Sequence, residues 1–331
     1  FNLVGNPYPS PIDWDATGWT KNNIDDGIYF FTAGTTDQYA GTYTSYVNGI
    51  SSADGKSSNI IPSMQGFFVK VSDGKTTGTL DMTNPVRTID FNQPFLKKYQ
   101  TPKPLLRLTA GFGAKEQQDA MVIYFSPYSS LKFEQEKDAH KLMNTDSTVP
   151  NLYSISSDKK DLSINAVPMP SSGGYEKIPL GIKAEQSGRM TIKLADLQNL
   201  NSNFNVYLID HQRNTGQNLS KKKSYSFEVQ KGTWNSRFEL MFSEKNMKDP
   251  AIAFDEPFSV EIQNSAVIVR LNLKDGQQGT ITASTIPGQI LDRTKGSGKD
   301  EVMLHGIKSS GVYIINLDLG TERFTKKILK K

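Results

Sequence analysis

Short runs of aromatic and β-branched residues recur along almost the whole chain, and Gly, Asn, Asp or Pro stands between them. Two examples are residues 66–71 (GFFVKV), which precede the turn pair Asp73-Gly74, and residues 120–125 (AMVIYF). Runs bounded in this way are typical of β-strands. Between residues 104 and 245 they recur every ~10–15 residues, a rhythm typical of a β-sandwich. The sequence therefore predicts an all-β protein.

The strand-like runs fall into three groups, separated by a Pro- and Lys-rich stretch at 92–104 and a polar stretch at 243–250. We expect a β-sandwich module over 1–95, a β-sandwich over 104–245 and an immunoglobulin-like sandwich over 253–331. The fold class is thus tandem β-sandwich domains ending in an immunoglobulin-like sandwich. The chain starts inside a strand pattern, so we also expect the first module to be completed by upstream strands.

Two local expectations follow from the same patterns. The one helix that the sequence favours is a short, charged segment over Leu131–Leu142. In the last group, Gly311–Ile315 has the composition of a central strand. Phe324–Leu329 is expected to be an edge strand whose lysines point to solvent.

Composition excludes several classes of function. The net charge is +4 and the basic residues are scattered, so nothing indicates nucleic-acid binding. The chain has no cysteine, which excludes disulfides, thiolate metal sites and cysteine nucleophiles. No apolar run is long enough to span a bilayer as a helix. We expect a chain that does not cross a membrane.

No motif predicts catalysis or metal binding. His140, His211 and His305 lie far apart, without the spacing of a zinc site. No nucleophile elbow, phosphate-binding loop or dinucleotide fingerprint is present. The Asp-Gly pairs near residues 26 and 54 fit turns better than a calcium loop. Counting leaves a glycosidase-type carboxylate pair open, but the sequence nominates no two residues for it. We expect a non-enzyme without cofactor or metal.

Two stretches carry a family resemblance. Residues 2–14 (NLVGNPYPSPIDW) and 60–69 (IIPSMQGFFV) resemble a module common in large exported surface proteins of Bacteroidetes. Residues 178–238 are similar to the segment that usually follows that module. The resemblance implies a secreted or outer-membrane surface location.

The end of the chain resembles the type IX secretion C-terminal sorting domain. The matching stretches are 281–289, 310–315 and the basic end 325–331. The chain departs from the family at 255–257, where Asp-Glu-Pro stands in place of the usual Pro-Asn-Pro turn. The resemblance implies export or surface attachment, with the secretion machinery as partner. The residues it implicates in export are Gly311, Tyr313, Lys326, Lys327, Lys330 and Lys331.

Two functions from different classes remain open. The first is a structural or adhesive surface segment, and the second is a carbohydrate-binding region that accompanies an upstream hydrolase. Trp19, Tyr39 and Tyr43 are the candidate ligand contacts, because exposed aromatic rings stack on sugars or anchor protein partners. Contiguous exposed Trp and Tyr beside polar side chains would favour the second function. Buried aromatic residues, which strands of this kind usually form, would favour the first.

Overall fold

The fold is described from a computed structural model. It describes residues 1–35, 37–53, 56–89, 103–113, 117–170, 175–213, 215–244, 257–263, 266–271, 273, 276–298, 300–320 and 322–330. Strands dominate these residues, which include no α-helix and a single 3-10 turn at Asn84–Val86. The prediction of an all-β fold of tandem sandwiches is confirmed.

Contacts divide the chain into two compact units, Phe1–Asp249 and Pro250–Lys331. The expected break near 245–255 falls on residues 245–256, which lie outside the described part, and it stays a prediction. The expected break near 95–103 falls largely on residues 90–102, which also lie outside it. The division of the first unit into two domains therefore stays a prediction.

The N-terminal part of the first unit is built around one five-stranded sheet in the order β1-β8-β4-β5-β6. Two further strand pairs, β2-β7 and β3-β9, belong to the same part. The strands of this part are β1 Asn2–Gly5, β2 Ile12–Asp13, β3 Trp19–Asn22, β4 Ile24–Ala33, β5 Gly41–Val47, β6 Ile50–Ser51, β7 Ile60–Ile61, β8 Gly66–Val71 and β9 Thr79–Met82. Side chains alternate across a strand, so Phe67 and Val69 enter a core with Trp14 while Phe68 faces the other side. Trp14 is buried in this core.

The remainder of the first unit is one 11-stranded sheet. Its strands are β10 Leu105–Phe112, β11 Asp119–Phe125, β12 Ala139–His140, β13 Asn151–Ile155, β14 Asp161–Val167, β15 Tyr175–Ala184, β16 Gly188–Gln198, β17 Phe204–Asp210, β18 Thr215–Asn218, β19 Ser224–Val229 and β20 Gly232–Glu244. β19 ends the sheet order and β20 lies near its opposite end, yet Phe227 and Phe238 have ring centroids 4.6 Å apart. The sheet therefore folds over one shared core.

The helix expected over Leu131–Leu142 is wrong. The segment forms turns followed by the two-residue strand β12. The buried carboxylate of Asp138 accepts the backbone N–H groups of Glu134 at 2.7 Å and Ala166 at 2.6 Å. A carboxylate that binds backbone donors inside its own segment and on a neighbouring strand holds a loop rather than a helix.

The two parts of the first unit share a buried contact, which we call the joint: strands β4–β6 packed against β10–β14. Tyr29 and Val47 lie there in one apolar cluster with Tyr124. Arg107 is buried in the joint and donates to the carbonyl oxygens of Ser51 at 3.1 Å and Ser52 at 3.3 Å. These contacts hold the two parts against each other.

The second unit is an immunoglobulin-like sandwich of a three-stranded sheet, β21-β22-β25, and a four-stranded sheet, β24-β23-β26-β27. Its strands are β21 Phe258–Gln263, β22 Ala266–Leu271, β23 Gln278–Thr285, β24 Ile290–Ser297, β25 Glu301–Leu304, β26 Gly311–Asp318 and β27 Arg323–Lys330. Ile281, Ile315 and Leu317 fill the core between the sheets. The central position of β26 and the edge position of β27 are confirmed.

Limited proteolysis should cut the chain first within residues 245–256. This stretch joins the two compact units, whereas the joint ties both parts of the first unit together through buried contacts. Mass spectrometry of early digests should find a fragment near 1–245 and a fragment near 256–331. Early release of a fragment ending near residue 95, with the 245–256 stretch still intact, would contradict the expectation.

Candidate functional site

Trp19, a sequence-predicted ligand contact, is fixed within the N-terminal part. Its indole N–H donates to the carbonyl oxygen of Asp13 at 2.8 Å, and its ring lies 4.8 Å from that of Trp14. The indole N–H of Trp14 donates to the carbonyl oxygen of Asp26, also at 2.8 Å. Both indole donors are therefore used inside the fold, and the pair holds the turn between β2 and β3.

The two predicted tyrosines lie at the rim of the joint. Tyr39 is 77% exposed, and its carbonyl oxygen accepts from the Thr145 hydroxyl at 2.7 Å. The backbone N–H of Tyr43 donates to Asn144 Oδ1 at 2.9 Å, and its half-buried ring lies 5.0 Å from that of Phe31. Their backbones thus help to attach β5 to the segment after β12.

Sequence reasoning missed a group of charged side chains at the joint, of which Asp25 and His140 are buried. We call this group the charged cluster: Asp25, Lys70, Asp73, His140 and Lys160. Asp25 is 1% exposed, and its Oδ2 lies 3.5 Å from Lys70 Nζ and 3.8 Å from His140 Nε2. Lys70 also forms an ion pair with Asp73, and the Nζ of Lys160 lies 2.6 Å from Asp73 Oδ2. The cluster brings β4, β8, β12 and the turn before β14 together.

Burial and pairing shift the acids and the base of this cluster differently. Burial raises the pKa of Asp25 and lowers the pKa of His140 to about 4. Hydrogen bonds from Lys160 and Lys70 hold the pKa of Asp73 well below its usual range. The His140 ring lies 4.2 Å from that of Phe133. At neutral pH the imidazole is therefore an uncharged, packed group, and the cluster connects two parts of a fold.

Two further buried ion pairs lie within the first unit. Lys141 Nζ is 2.6 Å from both carboxylate oxygens of Asp119, and Asp119 Oδ2 also accepts the backbone N–H of Leu152 at 2.6 Å. Arg237 binds Asp210 through two hydrogen bonds, at 3.1 and 3.0 Å. Neither pair follows a motif, because its members are separated in sequence and meet only through sheet pairing.

The export-related residues occupy the four-stranded sheet of the second unit. Gly311 begins β26, and the buried Tyr313 donates its hydroxyl to the Ser309 carbonyl oxygen at 2.9 Å. The expectation that lysines of the last strand face solvent holds for Lys327, which is exposed. The strand extends to Lys330, beyond the expected range, and that side chain is buried, with its Nζ donating to the Ile307 carbonyl oxygen at 2.8 Å.

The remaining two predicted lysines complete this description. Lys326 is half-buried, and its Nζ lies 5.5 Å from the ring centroid of Phe258. Lys331 lies outside the described residues. In the described part of the chain, no group of three or more His, Cys, Asp or Glu side chains is placed to hold a metal ion. Across the same residues, no helix has the length and apolar character needed to cross a membrane.

These observations define an all-β chain of tandem sandwiches in which buried ion pairs hold strands and sheets together. The chain belongs to the family described as Domain of unknown function (DUF8693), whose model matches residues 1–242. It is also similar to the minor fimbrium subunit Mfa5 of Porphyromonas gingivalis, at 23% identity over 337 residues. The alignment covers 96% of this chain and 26% of that protein's length. No solved structure matches the chain.

Proposed function

We propose that this chain is a non-catalytic, structural segment of a secreted or cell-surface protein of a Bacteroidetes bacterium, and that it serves adhesion or assembly at the surface. The observation that carries the proposal is the similarity to a fimbrial subunit along 96% of the chain. The resemblance of residues 2–14 and 60–69 to exported surface modules supports the same location. The chain corresponds to 26% of that relative's length.

The hydrogen bonds of the tryptophan side chains favour a structural role over carbohydrate binding. Trp14 is buried and Trp19 is partly buried, and both indole N–H groups bind backbone oxygens. A sugar platform needs exposed rings beside free polar groups. Asp25 and His140 of the charged cluster and the pair Asp119–Lys141 are buried in contacts between strands. We propose surface glycan or protein ligands as the partners of the exposed surface around Tyr39.

Surface shaving tests the location and the assembly role together. Intact cells that express the full-length protein should lose this segment to added protease, and the segment should co-purify with sheared surface fibres. A periplasmic control protein should stay intact. Full protection in intact cells would contradict the surface location. Hydrolysis of a glycoside that is abolished by one Asp or Glu substitution would contradict the non-enzyme proposal.

We further propose that the second unit acts in export or surface attachment. The support is the resemblance of 281–289 and 310–315 to the sorting family, together with the exposed Lys327 on an edge strand.

Fusing residues 253–331 to a periplasmic reporter, in a Bacteroidetes host with type IX secretion, should bring the reporter to the surface or the medium. The same reporter fused to residues 1–244 is the matched control and should stay inside the cell. A reporter that remains periplasmic with the 253–331 fusion, while folded, would rule out the export role. That result would leave the structural role of the first unit untouched.

A further inference from the structure

The four-stranded sheet of the second unit has a buried face and an outer face. On β26, Tyr313, Ile315 and Leu317 are buried in the sandwich core, whereas the alternating Ile314 and Asn316 are half-buried on the outer face. Strand pairing continues this outer face across all four strands. The outer face is therefore the broad surface of this sheet that is not packed in the sandwich core.

One end of the outer face is apolar. Pairing places Ile290, Ser284, Ile314 and Lys327 in one row across the sheet, and Leu329 lies two residues beyond Lys327 on the edge strand. Ile290 and Leu329 are each 58% exposed. The β23–β24 turn at the same end of the sheet adds an exposed aliphatic side chain, Ile286, which is 60% exposed. Exposed aliphatic side chains gathered at one end of a sheet form an apolar patch.

The rest of the outer face is cationic and hydroxyl-rich. Arg293 and Lys295 are exposed on β24, and Lys327 is exposed on β27. The one carboxylate in the paired rows, Asp318, binds Arg323 at 2.8 Å. The neutral positions between the charges are threonine, serine and asparagine: Thr280, Thr282, Ser284, Asn316 and Thr325. The face therefore has an excess of positive charge beside the apolar patch.

We propose that this outer face binds an anionic lipid surface, with the patch around Ile286, Ile290 and Leu329 entering the headgroup region. Cationic side chains beside exposed aliphatic residues match a membrane interface, where phosphate groups lie above hydrocarbon. A protein-binding hot spot typically centres on Trp, Tyr or Arg in a packed pocket, and here the apolar side chains are aliphatic and open. The inference is consistent with a cell-surface location but does not rest on the export role.

Vesicle sedimentation with the purified 331-residue chain tests the proposal. At low salt the chain should sediment with phosphatidylcholine vesicles that contain 30% phosphatidylglycerol, and not with phosphatidylcholine alone. Each cation near the surface contributes about fivefold in partition, so Arg293→Glu with Lys327→Glu should reduce binding at least tenfold. Ile286→Ser with Leu329→Ser should reduce binding by a similar factor, because the patch loses its apolar contact. The matched control, Lys221→Glu with Lys222→Glu, makes the same charge change on an exposed turn of the first unit and should bind as the unchanged chain does.

Three results would overturn the proposal. The first is an unchanged chain that stays in solution with anionic vesicles. The second is a control variant that loses as much binding as the Arg293 and Lys327 variant. The third is self-association in sedimentation velocity that the Leu329→Ser change abolishes, without vesicle binding, which would assign the face to a second copy. Every variant should keep the circular dichroism spectrum and the melting temperature of the unchanged chain. We expect this because each substituted side chain is exposed, and exposed substitutions have small effects on stability.

Discussion

Replacing Asp119 with alanine should lower the free energy of unfolding of the first unit by about 3–5 kcal/mol. The side chains of Asp119 and Lys141 are 2% and 1% exposed, so the change leaves a buried ammonium without its counter-charge. It also removes the acceptor of the Leu152 backbone N–H, and an unpaired buried donor adds to the loss. Urea unfolding followed by circular dichroism measures the difference.

The double variant Asp119→Leu with Lys141→Met separates charge from packing. Replacing a buried ion pair by apolar residues of similar volume is often close to neutral, whereas removing one partner is strongly destabilising. We therefore expect the double variant to recover most of the stability that either single variant loses. If Asp119→Ala costs under ~1 kcal/mol, the pair is not the buried ion pair that the structure describes. Equal losses in Asp119→Ala and the double variant would assign the effect to the unpaired Leu152 N–H, which both variants share, rather than to the lost charge pair.

Strand positions could be predicted because their signals are local. Residues 66–71 alternate between core and surface and end at a turn pair, and β8 occupies these positions in the structure. The layout of the last strands follows from the same kind of signal. Gly311–Ile315 is continuous and apolar, which places it inside a sheet, and the lysines of β27 are typical of an edge.

The errors arise where contacts between distant residues decide the outcome. The charge density of Leu131–Leu142 favoured a helix, but Asp138 binds backbone donors at Glu134 and Ala166 and holds a loop. Lys330 lies on the same side of β27 as the core residues Phe324 and Ile328, and a carbonyl oxygen of another segment, at Ile307, accepts from its ammonium group. Neither acceptor can be read from the local pattern.

The candidate site could not be predicted for the same reason. Asp25 and His140 belong to different parts of the first unit and meet only when the joint forms. No spacing rule connects the two residues, and the sequence around each of them has the composition of a turn or a short strand. The residues around His140 are charged, so the local composition gives no signal of its burial either.

Acidification should weaken the first unit through His140. In the unfolded chain the imidazole has an ordinary pKa of about 6.5, and burial lowers it in the folded chain to about 4. Protons therefore bind the unfolded chain more tightly. The stability that the neutral imidazole supports is fully present above pH 6.5 and is lost as the pH falls to 4. By pH 4 the loss reaches about 3 kcal/mol. The raised pKa of Asp25 acts in the opposite direction, because its contribution is present at low pH and is lost as the pH rises.

Comparing the unchanged chain with His140→Gln isolates the histidine term, since Asp25 is present in both. Urea unfolding at steps from pH 7.5 to pH 4 should show the unchanged chain losing about 3 kcal/mol relative to the variant. The lost stability should come from the joint, because His140 lies 3.8 Å from Asp25 across it and packs against the ring of Phe133. His211→Gln is the matched control, because it makes the same exchange at a half-exposed side chain outside the charged cluster, and it should keep the loss that His140→Gln removes. A pH profile that is the same with and without His140 would show that the imidazole is solvated in the folded chain, and that the charged cluster does not bury it.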